Sequence, residues 1–229
     1  MARPPRKIHG VCCHERLKMK IDIRNVPTTW INLEKHTQNA EDITKMLNEH
    51  GFTNHYRTAG VVDTTEGVFQ AYNIPKSHFF GVARAQINAL ESIRDSLPAL
   101  VLEDDVVISE DYIPEIEIPD QTDAVHLGVS NAGSVFAQDI GNSWARIHGM
   151  LAAHGILYVS KRYVDETIRI AKHCIYEMGV PFDLGTAQIQ RQHYVIAAHK
   201  PFFYQGDERE SANKWESLTR QPLKFHPAL

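Results

Sequence analysis

Apolar positions along the chain follow two patterns, short continuous runs and longer stretches with helical spacing. The runs predict buried strands, and the longer stretches predict helices that present one apolar face. Gly51 and Pro98 follow the first two of these helices, where such residues commonly end a helix. In chain order the predicted strands are residues 28–33, 54–62, 99–102, 123–128 and 155–160, and the predicted helices are residues 39–50, 78–97 and 163–178.

The alternation of strands and helices predicts an α/β fold, a mainly parallel sheet with helices on its faces. Neither a repeat nor a Gly/Ser-rich linker divides the chain. We therefore expect a single domain over residues 27–229, preceded by a basic extension over residues 1–26. In sheets of this kind ligands bind beyond the carboxyl ends of the strands. Side chains that follow a predicted strand are thus the first candidates for a site.

The composition is typical of a soluble globular chain, with 43% hydrophobic and 23% charged residues among 229. No apolar stretch approaches the roughly 18 residues of a membrane span, and no apolar segment of signal-peptide length follows the N-terminus. The three cysteines, two of them adjacent, argue against a disulfide framework and fit a reducing compartment. We expect a cytoplasmic protein of a bacterium or of a virus-infected cell.

Charge is distributed unevenly along the chain. Residues 1–26 contain seven Lys and Arg against two acidic residues, a net charge of +5, and the remainder carries −9. A basic extension can bind the phosphates of nucleic acid or of lipid. A solvated chain terminus has the same composition, so the sequence is compatible with both interpretations.

The most informative segment is residues 98–109, PALVLEDDVVIS. Glu103, Asp104 and Asp105 come directly after an apolar run, at the predicted mouth of the sheet. Carboxylates held together there repel one another and resist desolvation. A divalent cation with a preference for oxygen ligands, Mg²⁺ or Mn²⁺, removes both costs. The alternative is a hydrated acidic loop at the end of a strand.

The segment LVLEDDV and its surroundings resemble the family 25 glycosyltransferases, the lipooligosaccharide sugar transferases and their collagen-modifying relatives. The resemblance covers residues 28–211 in order, and the acidic triplet is its most specific part. The matching segments are Ile31-Asn32-Leu33, the stretch from Arg57 to Val61, the helix from Gly81 to Ile93, residues 155–160, Val180-Pro181-Phe182-Asp183, and the stretch from Pro201 to Ser211.

The chain departs from the family pattern at two places. Ala85-Gln86 stand where the family usually carries Ser-His, in the helix before the acidic strand. Gln38-Asn39 stand where an arginine is usual after the first strand. The two departures concern the identity of the donor sugar and of the acceptor, and they leave the predicted fold unchanged.

The resemblance implies a GT-A type fold, a nucleotide-sugar donor and a divalent cation, Mn²⁺ or Mg²⁺, at the acidic triplet. Carried over by position, Asp105 would ligate the metal together with Glu103, while Glu103 and Asp104 would also contribute to donor binding. Asn32 and Arg57 lie near the predicted ends of early strands, where the nucleotide should bind.

The resemblance also places Asp183 as the base that accepts the proton of the acceptor hydroxyl, if the reaction inverts configuration. A carboxylate at the start of a helix is the structural alternative for this residue. His154 and His199 are further candidates for a base or a third metal ligand, although a lone histidine is more often structural. Gln205, Arg209 and Lys214 lie in a tail that could close over the diphosphate.

Three functions are compatible with the sequence. The first is a metal-dependent glycosyltransferase acting on a saccharide hydroxyl of the lipooligosaccharide type. The second is a viral enzyme that glycosylates hydroxymethylated cytosine in DNA, which would use the basic extension for phosphate contacts. The third is a module that binds a nucleotide sugar without turnover. Fold-level analogy does not identify the acceptor.

Overall fold

The structure, a computed structural model, describes residues 18–71, 73–132, 135–206 and 218–225. Most of the predicted basic extension, the cysteine pair at Cys12 and Cys13, and the tail residues Arg209 and Lys214 lie outside the described residues. No helix among the described residues is long and apolar enough to cross a membrane.

The described strands form one large sheet and three small two-stranded ribbons. In chain order they are β1 Lys18–Asp22, β2 Thr28–Asn32, β3 His55–Ala59, β4 Val68–Phe69, β5 Ile74–Pro75, β6 Ala99–Glu103, β7 Val106–Ile108, β8 Glu115–Pro119, β9 Ala124–His126, β10 Phe136–Gly141, β11 Trp144–His148, β12 Gly155–Tyr158, β13 Val195–Ala198 and β14 Phe203–Gln205.

The large sheet has eight strands in the order β10-β11-β13-β9-β12-β6-β2-β3. The pairs β2–β3, β2–β6 and β9–β13 are parallel, whereas β12 is antiparallel to both of its neighbours and β11 is antiparallel to both of its own. Six strands therefore point in one direction and two are reversed. The sheet is mixed and mainly parallel, which confirms the predicted α/β class. The ribbons pair β1 with β8, β7 with β14 and β4 with β5.

The helices are α1 Thr37–Glu49, α2 Lys76–Ile93, α3 Lys161–His173 and α4 Phe182–Ile189. The chain continues from α3 into a π-helical turn, Cys174–Met178, and from α4 into a 3₁₀ turn, Gln190–Gln192. Gly51, at a φ of 79°, follows α1, as the sequence predicted, because glycine adopts the left-handed conformation at a helix end without steric cost.

The large sheet is covered on both faces. The core on one face, under α2, α3 and α4, includes Leu90, Val164 and Val101. The core on the other face, under α1 and the β1–β8 ribbon, includes Leu47 and Leu100. Strand β6 contributes to both cores with alternate residues, which explains its continuous apolar run.

Each predicted strand and helix coincides with an observed one, but β4, β5, β8, β10, β11 and β13 were not predicted. Three further details also differ. The helix predicted over residues 163–178 is α-helical only as far as His173. The tail, in which no strand was predicted, contains β14, which pairs with β7 directly after the acidic triplet. Residues 18–26, assigned to the extension from the sequence, contain β1, and Ile23 is completely buried. This part of the extension therefore belongs to the fold.

Candidate functional site

The acidic triplet lies at the carboxyl end of β6, beside the carboxyl end of the parallel strand β2. Ile31 of β2 is in register with Glu103 of β6, so the following residue, Asn32, also lies at this edge. The chain turns at Asp104 and Asp105 and continues into β7. Parallel pairing of β2 and β6 thus brings residues 72 positions apart in the sequence to one edge of the sheet.

Asp104 is fixed by two neutral amides. Its Oδ2 accepts a hydrogen bond from Nδ2 of Asn32 at 2.7 Å and another from Nδ2 of Asn39 at 2.8 Å. Nδ1 of His36, just before α1, lies 3.8 Å from the same oxygen. Asn32 and Asn39 are buried, with exposed fractions of 2% and 8%. Asn39, noted in the sequence after the first predicted strand, therefore contacts the acidic triplet directly.

Arg57 lies on β3, the edge strand next to β2. Its Nη2 donates to the backbone carbonyl oxygen of Asn32 at 3.2 Å. The side chain is exposed, so the structure presents a cation on the surface next to the acidic triplet. A guanidinium in this position can pair with phosphate oxygens.

Glu103 and Asp105 are bridged by the side chain of Gln205. Nε2 of Gln205 lies 3.1 Å from Oε2 of Glu103 and 3.4 Å from Oδ2 of Asp105. The backbone N–H of Gly206 donates to the carbonyl oxygen of Asp105 at 2.9 Å. We call the two side-chain contacts the Gln205 bridge. The sequence placed Gln205 in a tail near a diphosphate but did not predict this contact.

The carboxylates at this edge perturb one another. Burial, and then the negative charges of Asp105, Asp104 and Asp183, raise the pKa of Glu103 to about 8, while its hydrogen bond with Gln205 opposes the rise. A carboxylate in such a position gains from any cation that enters. Perturbed carboxyl groups gathered at a sheet edge are typical of functional sites.

Asp183 lies in the first turn of α4. Its charge contributes to the raised pKa of Glu103, which places it near the triplet although it is 78 positions further along the chain than Asp105. Burial raises the pKa of Asp183 itself. Its Oδ1 is buried and has no hydrogen-bond partner among the described residues. Of the candidates named from the sequence, Asn32, Arg57, the acidic triplet and Gln205 lie together at this edge of the sheet, and the charge of Asp183 reaches it.

The residues at this edge fit a divalent cation only in part. Among the described residues, no group of three or more His, Cys, Asp or Glu side chains is arranged to hold a metal ion on its own. Glu103 and Asp105 nevertheless offer two hard oxygen ligands on either side of a hydrogen-bond donor. Mg²⁺ in phosphate-binding sites commonly takes one or two carboxylates and completes its shell with water and phosphate oxygens. Glu103 and Asp105 alone would therefore hold such an ion only if further ligands came from a bound molecule and water.

The two histidine candidates differ in position. His154 is 2% exposed, its backbone carbonyl accepts from the N–H of Glu103 at 3.2 Å, and its ring covers the α-carbon of Gly128. His199 lies instead against Asp139, at 3.4 Å, and Phe225. Only His154 therefore adjoins the site.

His126 on β9 is a second buried histidine close to His154. Neither nitrogen of its ring has a hydrogen-bond partner among the described residues. Burial, with a smaller effect of the His154 imidazole, lowers the pKa of His126 to about 3, and burial lowers the pKa of His154 to about 4. Both rings are neutral in the folded protein at ordinary pH.

Replacing His126 with leucine is expected to weaken the acid sensitivity of the fold. Below a pH of about 6.5 the unfolded chain binds a proton at His126 that the folded protein does not bind, so stability is lost as the pH falls towards 3. Between pH 7.5 and 5, the free energy of unfolding should fall by about 2 kcal/mol more in the wild type than in His126→Leu.

Urea denaturation of both proteins at the two pH values measures this difference. Glu103, whose raised pKa acts in the opposite direction over this range, is present in both proteins and cancels in the comparison. Equal losses of stability in wild type and variant would show that His126 is not held neutral by the fold.

Comparisons with family models and with curated proteins find no match. Among solved structures, the chain is similar to the CTP:phosphocholine cytidylyltransferase LicC from Streptococcus pneumoniae. The identity is 11% and the TM-score 0.48, over 84% of this chain and 98% of that chain. At this identity and TM-score the similarity gives no information about the activity of this protein.

Proposed function

We propose that the protein is a metal-dependent glycosyltransferase that resembles family 25 and moves a sugar from a nucleotide-sugar donor to a saccharide hydroxyl, as at a lipooligosaccharide end. One observation carries the proposal. Glu103, Asp104 and Asp105 converge with Asn32, Arg57 and Asp183 at the carboxyl edge of a mainly parallel sheet, where such sheets bind ligands.

The leaving group of a nucleotide sugar is a nucleoside diphosphate, which gains negative charge as the sugar departs. Glu103 and Asp105 would hold a Mn²⁺ or Mg²⁺ ion at the diphosphate. When bound, this ion supplies charge neutralisation for the leaving group. Arg57, exposed on the edge strand, would add a second positive charge on the side of β3.

Asp104 and Asn32 have a different role in the proposal. Asp104 is held by amide hydrogen bonds from Asn32 and Asn39, so its carboxylate keeps a fixed orientation. A fixed carboxylate suits recognition of the donor ribose hydroxyls. Asn32 would thus contribute to donor binding by orienting Asp104.

Asp183 would take the proton of the acceptor hydroxyl in an inverting reaction. Burial raises its pKa above that of an ordinary aspartate, which brings it nearer to the working pH of a general base. It approaches the site from α4, on the face of the sheet covered by α2 and α3, whereas Asn39 approaches from α1 on the other face. Donor and acceptor groups would therefore meet between these helices.

The first experiment is a donor screen in the presence of Mn²⁺. Nucleotide release is measured for a panel of nucleotide sugars in three arms, without acceptor, with oligosaccharide acceptors and with hydroxymethylated duplex DNA. We expect slow metal-dependent release that oligosaccharides accelerate and DNA does not.

The other outcomes separate the remaining functions. A sharp increase in release with the DNA alone would establish a base-modifying transferase and overturn the saccharide acceptor. Donor binding without release in any arm would leave a non-catalytic module.

A further inference from the structure

The helices on one face of the large sheet bring further side chains to the edge at which β6 ends. Strand β12 is antiparallel to β6, so it ends at the opposite edge, and α3, which follows it, returns to the edge at which β6 ends. Helix α2 precedes β6, and α4 precedes β13, which is parallel to β9. The end of α3 and the beginnings of α2 and α4 therefore lie together at this edge.

An exposed tyrosine ring lies against a fixed guanidinium at this place. Tyr176 belongs to the π-helical turn that continues α3, and it is 64% exposed. The guanidinium carbon of Arg84, on α2, lies 5.8 Å from the centre of the ring. Nη1 of Arg84 in turn pairs with Oδ2 of Asp63 at 2.8 Å, and the side chain of Asp63 is only 2% exposed. A buried carboxylate thus holds the guanidinium beside a ring that is largely open to solvent.

The turn that carries Tyr176 is packed against the start of α4. The N–H of Val180 donates to the carbonyl oxygen of Cys174 at 3.0 Å and closes the turn. Gly185, on α4, lies so close to Cys174 that a β-carbon at this glycine would be 2.5 Å from Sγ. The ring of Tyr176 and the carboxylate of Asp183 therefore belong to one tightly packed unit, and the ring keeps a fixed position relative to the proposed base.

The chemistry of this surface suits a sugar ring. A sugar presents an apolar face of C–H groups and a rim of hydroxyls, and sites for such ligands combine aromatic surface with a few placed polar groups. Tyrosine offers a large rigid ring that loses little conformational entropy on binding. The contact with Asp63 is made by Nη1 of Arg84, and a guanidinium has more N–H donors than this contact uses. The remaining donors can bind hydroxyls.

The charges at this edge favour an uncharged ligand. Asp63 neutralises the guanidinium of Arg84, and the acidic triplet and Asp183 add negative charge at the same edge of the sheet. A chain of phosphates, as in nucleic acid, would be repelled by these carboxylates, whereas a neutral saccharide would not.

We propose that Tyr176, held beside Arg84, is the platform on which a saccharide acceptor stacks while it presents its hydroxyl to Asp183. The proposal rests on the proposed function, which assigns the proton of the acceptor hydroxyl to Asp183. It adds the substrate subsite on the acceptor side, formed by the end of α3 and the first half of α2.

The test begins with an array of immobilised oligosaccharides that includes lipooligosaccharide outer cores. The biotinylated full chain is applied as a streptavidin tetramer, which makes weak binding detectable. The dissociation constant for the best glycan is then measured by NMR titration of the unlabelled chain. We expect it to rise at least about tenfold in Tyr176→Ala, and to change less than about threefold in Tyr176→Phe, which keeps the ring. Because the side chain is exposed, the melting temperature should change by less than about 2 °C in either variant.

Phe136→Ala is the matched control. Phe136 is also an exposed aromatic residue, 40% exposed, and it stacks on His148 at the far edge of the large sheet. This variant should bind the glycan as the wild type does. With the donor found in the screen, KM for the glycan should rise in Tyr176→Ala while KM for the donor stays unchanged, a separation that general damage to the fold would not produce.

Three results would overturn the platform. The first is equal glycan binding by the wild type and Tyr176→Ala, and the second is a wild type that binds no glycan of the array. The third is binding of hydroxymethylated duplex DNA that Tyr176→Ala weakens, which would assign the surface to nucleic acid.

Failure of the proposed function gives a different pattern. If glycan binding depends on Tyr176 but no nucleotide sugar is turned over, the saccharide subsite stands and the glycosyltransferase assignment falls. If oligosaccharides accelerate nucleotide release equally in the wild type and Tyr176→Ala, the transferase stands and the subsite falls.

Discussion

Replacement of Asp105 with alanine is expected to reduce sugar transfer by at least about a thousandfold in kcat/KM. The side chain is one of two carboxylates that face the Gln205 bridge, and in the proposed function it is the main protein ligand of the cation. A cation that neutralises a leaving diphosphate contributes several kcal/mol to the transition state, which corresponds to a loss of this size.

The same replacement should not destabilise the protein. The charge of Asp105 is among the causes of the raised pKa of Glu103, so removing it relieves repulsion within the cluster. The free energy of unfolding at pH 7.5 should therefore change little, because the relief of repulsion offsets the lost contact with Nε2 of Gln205. Loss of activity together with retained stability distinguishes a functional carboxylate from a structural one.

Initial rates with the donor identified by the screen, together with urea denaturation, measure both effects. Asp120→Ala is the control, because Asp120 is exposed in the turn after β8 and should leave both quantities unchanged. Wild-type turnover by Asp105→Ala would remove Asp105 from the cation site.

The location of the site was predictable because local sequence and topology agree at β6. An apolar run that ends in three acidic residues can be accommodated in a folded protein in only a few ways. The run must be covered on both faces, as Leu100 and Val101 are, and the acidic residues must then emerge at the edge of the sheet. The same reasoning predicted the position of Asn32 at this edge, because β2 is also a buried strand with a polar residue at its carboxyl end.

The partners of the triplet were not predictable in the same way. Gln205 reaches Asp105 across 100 positions in the sequence, through the pairing of β14 with β7. Both strands have only three residues. This is too few to show the alternation of apolar and polar positions by which a strand is recognised in a sequence. Asn39 lies in a helix whose apolar pattern was recognised, but the pattern specifies which face is buried and not which polar side chain reaches a neighbouring turn.

The direction of the strands was the second feature that the sequence did not predict. The run at residues 155–160 was correctly assigned to a strand, but β12 is antiparallel to both β6 and β9. A buried strand has the same apolar composition in either direction, so the residues of β12 do not indicate whether it is parallel or antiparallel to its neighbours. The reversal matters for the site because it brings His154, at the beginning of β12, to the same edge as the ends of β6 and β9.

Replacement of Asp183 with asparagine is expected to lower kcat by about 10²–10⁴-fold with little change in KM for the donor. This is the range by which a positioned general base accelerates a reaction. Asp183 lies in the first turn of α4, on the opposite face of the sheet from the helix α1 that carries Asn39, and in the proposal it contacts the acceptor and not the nucleotide. Steady-state kinetics with donor and acceptor varied separately measures the two parameters.

Asparagine is the informative substitution because it retains the structural role of Asp183. Asp183 is the second residue of α4, after the N-cap Pro181, so asparagine removes only a favourable charge near the helix N-terminus, worth about 0.3–1 kcal/mol, and the melting temperature should change little. If Asp183 only supports the helix, activity survives in Asp183→Asn. If it is the base, activity is lost while the fold is kept, since an amide cannot accept the proton.

The pH dependence gives an independent criterion. Burial raises the pKa of Asp183, and only its ionised form can act as a base, so wild-type kcat should fall with acidification at a pH above the ordinary range of an aspartate. The residual activity of Asp183→Asn should lack this acidic decline. A decline that persists unchanged in the variant would assign it to another group, of which Glu103, with its pKa of about 8, is the nearest.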